Sequence, residues 1–212
     1  MTFVNRQDAG ERLAPLLAHL RPRDPIVLGL PRGGVPVAAI VADAIDAPLD
    51  VIVVRKLGAP RNPEYAIGAI GEDGVRFLDE AAMRMVDVDH DQVASIERAE
   101  REELARRAAL FRRGRPRLDL TGRTAVIVDD GVATGATAVA ACRIARALGA
   151  EAVVLAVPVA PREWKDVLHD EADELIAVET PAPFYAVGRW YSDFGQTTDD
   201  EVVAALAARL RP

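Results

Sequence analysis

The sequence predicts an α/β fold: a doubly wound, mainly parallel sheet flanked by helices, with residues 1–212 forming a single domain. Three observations predict it. Short apolar runs recur as strands at Ile26–Leu30, Asp50–Val54, Thr124–Val128, Ala152–Val157 and Leu175–Val178. Helical patterns follow several of them, at Val35–Ile45, Ala136–Leu148 and Arg162–His169, and strand–helix–strand repetition favours parallel strands. A chain of 212 residues, 50% hydrophobic and 28% charged, has the size and composition of one globular domain.

Each element has its own warrant. Leu13, Leu16, Leu17 and Leu20 fall at helical spacing, so Asn5–Leu20 reads as an opening helix. The first strand breaks at Pro31-Arg32-Gly33-Gly34, and Val35–Ile45 returns to helix. After the second strand, Arg55–Tyr65 carries Gly58, Pro60 and Pro63 and reads as a loop. Tyr65–Ile70 and Val75–Leu78 are extended runs around Gly71-Glu72-Asp73-Gly74, a hairpin signal. Asp91–Arg113 is a long amphipathic helix with Val93, Ile96, Leu104, Ala108 and Phe111 on its apolar stripe. Its i,i+4 pairs include Glu97/Arg101 and Glu103/Arg107. An aromatic-rich tail follows the last strand.

Composition excludes several functions. The net charge is −7, so generic attraction to nucleic acid or an anionic membrane is not expected. The arginines from Arg106 to Arg117 suit a helix C-terminus in a mixed-charge setting. No apolar run approaches the roughly 20 residues of a spanning helix. Met1-Thr-Phe-Val-Asn5 lacks the layout of a signal peptide, so a cytoplasmic location is expected. The single cysteine, Cys142, sits among alanines and reads as a packed apolar residue. His19, His90 and His169 have no metal-ligand spacing and suggest no zinc site.

The chemistry concentrates in Val126-Ile-Val-Asp-Asp-Gly-Val-Ala-Thr-Gly-Ala-Thr137, which joins a buried strand to a helix. Open α/β sheets bind ligands at the carboxyl ends of their strands. Gly131 and Gly135 let the backbone curl. The N–H groups of Ala133, Thr134, Gly135, Ala136 and Thr137 can then face an anion at the helix N-terminus. Thr134 and Thr137 add hydroxyl donors. Asp129 and Asp130 would repel a bare phosphate, but they can accept hydrogen bonds from sugar hydroxyls or help hold Mg²⁺. A phosphorylated ribose supplies both partners. A nucleoside-triphosphate loop would need a lysine that is absent here, and no G-x-G-x-x-G opens this helix.

Three apolar residues, Asp-Asp, three variable positions and Thr-Gly-x-Thr resemble the ribose-phosphate signature of the type I phosphoribosyltransferases, matched at every fixed position. The resemblance implies that family's fold with a small hood. It implies binding of 5-phosphoribosyl-1-pyrophosphate with Mg²⁺, and transfer of the phosphoribosyl group to a nitrogen base with release of pyrophosphate, in the manner of nucleotide salvage. Asp129, Asp130 and Lys56 are the expected catalytic residues. Arg32, Gly33 and Gly34 follow the first strand as a pyrophosphate loop does, and a strained, often cis, peptide is implied there. In the family a mobile loop closes over the ligand from the region of Arg55–Tyr65, which makes Lys56 the preferred pyrophosphate ligand and leaves Arg61 a solvated charge.

The tail from about 180 to 200 is similar to the hood of hypoxanthine-guanine enzymes, offset by about one residue near Gly188. Phe184 or Tyr185 would stack a base, and Asp130 and Asp193 would reach the metal. The alternative is a terminal segment packed by Trp190, Tyr191 and Phe194. The segment from about 80 to 113 is a helical insert, placed to cover the site or to form a homodimer contact. One departure matters. Oxopurine-salvage members carry an acidic general base where this chain has Ala133, which cannot take a proton. A second reading therefore stands beside the enzyme: a regulatory protein that senses the sugar donor or a nucleotide without efficient transfer.

Overall fold

A computed structural model describes residues 3–208, apart from the side chain of Glu64. Its centre is a five-stranded parallel sheet made by β1 (Pro25–Gly29), β2 (Leu49–Val51), β6 (Thr124–Val128), β7 (Ala152–Val159) and β8 (Glu174–Glu179), in the order β2-β1-β6-β7-β8. β1 pairs in register with β6 from Pro25↔Thr124 to Gly29↔Val128, and β6 with β7 from Thr124↔Ala152 to Val128↔Ala156. Helix α2 (Gly34–Ile45) returns the chain from β1 to β2, α5 (Ala136–Ala147) from β6 to β7, and α6 (Trp164–Leu168) from β7 to β8.

The central strands β1, β6 and β7 are almost wholly apolar and buried because both faces of the sheet are covered there, whereas the edge strand β8 begins and ends in Glu174 and Glu179 and is only partly buried. Ile26, Leu28, Ile127, Val153 and Leu155 pack on one side with Ala138, Ala141, Cys142, Ile144 and Ala145 of α5. Val27, Val126, Val128, Val154 and Ala156 pack on the other with Val37 and Val41 of α2, and with Leu13 and Leu17. The side-chain period of two along each strand thus feeds two cores.

The opening helix is shorter than the leucine spacing predicts. Helix α1 covers Arg6–Leu13, and Ala14–Arg23 continues as 3-10 helix. Pro15 and Pro22 explain the change, since proline has no N–H to give and its ring clashes with the preceding turn. The second strand also differs: Asp50–Val54 divides between β2 and the start of β3 (Val54–Ala59). The expected loop at 55–65 is a hairpin, because β3 pairs antiparallel with β4 (Asn62–Gly71). A register shift around Gly58 accommodates it. A Cβ on Gly58 would lie 2.2 Å from the Pro63 carbonyl oxygen, so this glycine marks a close backbone approach rather than a loose turn.

The predicted hairpin at Glu72–Gly74 is present, joining β4 to β5 (Arg76–Leu78) in a three-stranded antiparallel sheet. Leu57, Ile67 and Ile70 of this small sheet share a core with Met83 of α3 (Glu80–Met85) and with Val93, Leu104 and Phe111 of α4 (His90–Arg112). Val202 and Leu206 of a final helix, α7 (Asp199–Ala207), join them. The side chain of Arg112, 5% exposed, ties the layers together. It donates to Asp50 (2.8 Å) and the Val51 carbonyl (2.8 Å) and pairs with Glu72. Among the described residues no helix is long and apolar enough to cross a membrane.

Candidate functional site

The strand order reverses between β1 and β6, and that switch point is where an open parallel sheet leaves a crevice at its carboxyl ends. The loops after these two strands are Pro31–Gly34 and Asp129–Gly135, and they touch. A Cβ on Gly33 would lie 2.0 Å from Oδ2 of Asp130. One on Gly34 would lie 2.5 Å from the Val128 carbonyl and 2.7 Å from Cα of Asp129. Only glycine admits that approach. The Leu30 N–H donates to the same Val128 carbonyl (2.9 Å), and Gly34 N–H to the Leu30 carbonyl (3.0 Å). The Pro31–Arg32 peptide bond is cis, as the family resemblance implies.

Gly135 is the N-cap residue of helix α5, and its φ of 82° lies in the left-handed region that glycine adopts without a Cβ clash. No side chain caps the helix there. Its first-turn N–H groups, with the exposed Ala133, Thr134 and Thr137, form the rim of the crevice. Gly131 lets the loop close on the tail, since a Cβ there would lie 2.5 Å from Cγ1 of Val187.

The two carboxylates are in a poor solvent for charge. Burial, with repulsion from Asp130, holds Asp129 well above the ordinary carboxylate range. Burial also raises Asp130, against the opposing pull of Arg6. Asp129 Oδ1 accepts from the Asp130 N–H (2.9 Å). Asp130 is held from outside as well: Arg6 reaches its Oδ2 through Nε (2.8 Å) and Nη2 (2.7 Å), and the Tyr191 hydroxyl donates to its carbonyl (2.6 Å).

Arg32 extends toward the N-terminus of α7, with Nη1 3.6 Å from Asp199. Lys56 lies on β3 and lines a cavity of about 590 Å³ with Pro31, Arg55, Gly58 and Thr137. This cavity connects Pro31, the hairpin and the first turn of α5. Ile96, Glu100 and Arg107 of α4 close its far side, and Arg55 bonds Glu100 at 2.5 Å. Arg61 is exposed at the hairpin turn.

The tail is anchored by aromatic packing. Tyr191 is buried against Phe3 (5.3 Å between centroids), and Phe184 stacks with Trp190 (6.3 Å). Tyr185 is 76% exposed, with the Arg189 guanidinium 5.9 Å from its ring. Asp193 is exposed and accepts from the Gly195 N–H (3.1 Å). Among the described residues no three His, Cys, Asp or Glu side chains gather around a point where a metal could sit. Hard carboxylate oxygens are present at Asp129 and Asp130 and, on the exposed tail, at Asp193, but they are too few for the roughly six ligands of Mg²⁺. The donor set fits a cation that takes its remaining oxygens from a ligand and from water.

Sequence reasoning missed Arg6, the pairing of the N-terminal segment with the tail, and α7. Phe3 N–H donates to Trp190 (2.9 Å), while Ser192 N–H and Asp193 N–H donate to Phe3 and Val4 (both 2.8 Å). For α7 a signal existed. Thr198-Asp-Asp-Glu201 ahead of Val202, Val203 and Leu206 is a capping box, and both of its reciprocal bonds form. For Arg6 there was none, since the residue lies 124 positions from Asp130.

A family model described as "Phosphoribosyl transferase domain" matches residues 7–184. Two curated relatives, from two strains of Mycobacterium tuberculosis, each carry the name "Putative phosphoribosyl transferase". They are 57% identical over 204 residues, which is 96% of this chain and 46% of each relative. The chain therefore spans about half the length of the curated relatives it matches. A crystal structure from Thermus thermophilus is 45% identical, with a TM-score of 0.91 and 99% of each chain covered.

Proposed function

This chain belongs to the phosphoribosyl transferase domain family, and from that premise we propose that it binds 5-phosphoribosyl-1-pyrophosphate with Mg²⁺ and transfers the phosphoribosyl group to a nitrogen base. The observation that carries the reading is the meeting of the two loops at the switch point, with Gly33 and Gly34 against Asp130 and Asp129. One ligand carrying a phosphate, hydroxyls and a second anionic group matches what the two loops offer.

In this reading the N–H groups from Ala133 through Gly135 and Ala136 to Thr137, with the hydroxyls of Thr134 and Thr137, hold the 5′-phosphate. Asp129 and Asp130 accept from the ribose hydroxyls and stand opposite the positive charge that develops at C1. Arg32, Gly33 and Gly34 face pyrophosphate from one side and Lys56 from the other, and the β3–β4 hairpin keeps water from C1. The C1–N bond forms as the C1–O bond breaks, the electron pair leaves with pyrophosphate, and the proton of the attacking N–H passes to pyrophosphate or water, since Ala133 cannot take it. Asp130 and Asp193 would hold Mg²⁺, which when bound neutralises charge on the leaving group. Phe184 and Tyr185 form the side on which the base stacks.

Ala133 favours a second reading. It is exposed at the rim of the loop and carries no proton acceptor, which suits a sensor of the donor or of a nucleotide. Incubation with the donor, Mg²⁺ and a panel of nucleobases separates the two. Pyrophosphate release with at least one base is the expected result. Donor binding without release for any base makes the protein a sensor, and absence of donor binding contradicts both readings.

A further inference from the structure

Asp130 is held by a residue from the far end of the chain. Arg6, the first residue of α1, places Nε and Nη2 on the same oxygen, Oδ2, at 2.8 and 2.7 Å. That oxygen is the one that would collide with a Cβ on Gly33, at 2.0 Å. The carboxylate rotamer is thus defined twice, by a cation that draws Oδ2 inward and by a glycine that makes room for it. Arg6 is itself fixed: Nη1 donates to the Gly195 carbonyl (2.6 Å), and the guanidinium lies 4.1 Å from the centroid of the Phe194 ring. The side chains of Arg6 and Asp130 are each only 14% exposed, so solvent weakens this pair less than a surface bridge.

We infer that Arg6 is a positioning residue that sets the Asp130 carboxylate for sugar hydroxyls, so that the site favours a ribose-bearing phosphate over phosphate alone. The inference rests on the ribose-phosphate reading of the Asp129–Thr137 loop. The contacts of Arg6 are with Asp130, Gly195 and Phe194, not with the first turn of α5, Thr134 or Thr137, so its effect falls on the sugar and spares the phosphate. A residue that merely supported the fold would affect both ligands together.

The test is calorimetric titration of the whole chain with ribose 5-phosphate and, separately, with inorganic phosphate, in the wild type and in Arg6→Gln, Arg6→Lys and Arg12→Gln. Arg12 is the control: it lies on the same helix, pairs with Asp8 at 3.0 Å and carries the same charge. Arg6→Gln is expected to weaken ribose 5-phosphate about tenfold or more, as loss of a charge-assisted pair does, with phosphate affinity changed by less than about twofold. Arg6→Lys should recover part of the loss, because it restores the charge without the fork, and Arg12→Gln should match the wild type. Equal losses for both ligands, no loss, or tighter ribose 5-phosphate binding in Arg6→Gln would overturn the inference. Should Arg6→Gln fail to fold, Arg6→Lys carries the same test: selective weakening of the sugar ligand supports the inference, and unchanged selectivity overturns it. A wild type that binds phosphate but not ribose 5-phosphate would remove the sugar reading itself, and the role of Arg6 with it.

Discussion

The crevice between β1 and β6 has two sides built on different principles. The side made by Pro31–Gly34 and Asp129–Thr137 is largely backbone: glycines in near contact, N–H groups at a helix start, and two carboxylates withdrawn from water. The side made by the tail is largely side chain, with Tyr185 standing 76% exposed and Phe184 leaning on Trp190. A backbone site fixes what it binds through a few atoms that tolerate no extra carbon. A side-chain site can change its contacts without disturbing the sheet. The backbone side should therefore be intolerant of substitution, and the tail side tolerant.

The comparison breaks first at the carboxylate and the hydroxyl. The double substitution Asp130→Asn with Thr134→Val removes a carboxylate and a hydroxyl that the proposed function assigns to the ribose and its phosphate. It should weaken ribose 5-phosphate by at least about 100-fold in calorimetry. Unchanged binding would move the site elsewhere.

Next come two glycines, one from each side. In Gly34→Ala the new Cβ would meet the Val128 carbonyl at 2.5 Å, whereas in Gly195→Ala it would meet only Asp193 Oδ1, at 3.5 Å. Urea denaturation should find the first destabilised by about 1–3 kcal/mol, as overpacking is, and the second within about 0.5 kcal/mol of wild type. Equal costs would erase the distinction between the two sides.

A smaller effect is expected at Tyr185. Replacing it with alanine should leave ribose 5-phosphate affinity unchanged, while raising KM several-fold for whichever base releases pyrophosphate, on the order of 1 kcal/mol of lost stacking. Initial-rate kinetics reads both quantities. The smallest effect sharpens the rigid side alone. Burial pushes the thiol of Cys142, on the face of α5 that packs in the sheet core, up to about 12. The native protein should therefore resist a thiol reagent at pH 8 and react once denatured. Rapid native labelling would mean that α5 opens readily.

How much of this was legible beforehand follows the same division. The parallel strands and their helices were readable because fully buried strands are near-continuous apolar runs, as Ala125–Val128 is. The Asp129–Thr137 loop was readable as a candidate site because its glycines, threonines and aspartates are adjacent in sequence. The hairpin at Val54–Gly71 was not. Gly58 and Pro63 look like loop residues until the chain is folded and the glycine is found beneath the Pro63 carbonyl. Arg6 was also out of reach, since its partner is distant in sequence and its helix carries no motif. Local chemistry can be read along a chain, but contacts between its ends cannot.

The claim that matters most is where the sugar phosphate sits. A crystal structure with ribose 5-phosphate and Mg²⁺ tests it directly. The phosphate should lie against the N–H groups of Ala133 to Thr137, with the ribose hydroxyls on Asp129 and Asp130. Ligand found instead in the cavity bounded by Leu49, Arg115 and Leu206, with the Asp129–Thr137 loop empty, would contradict the account.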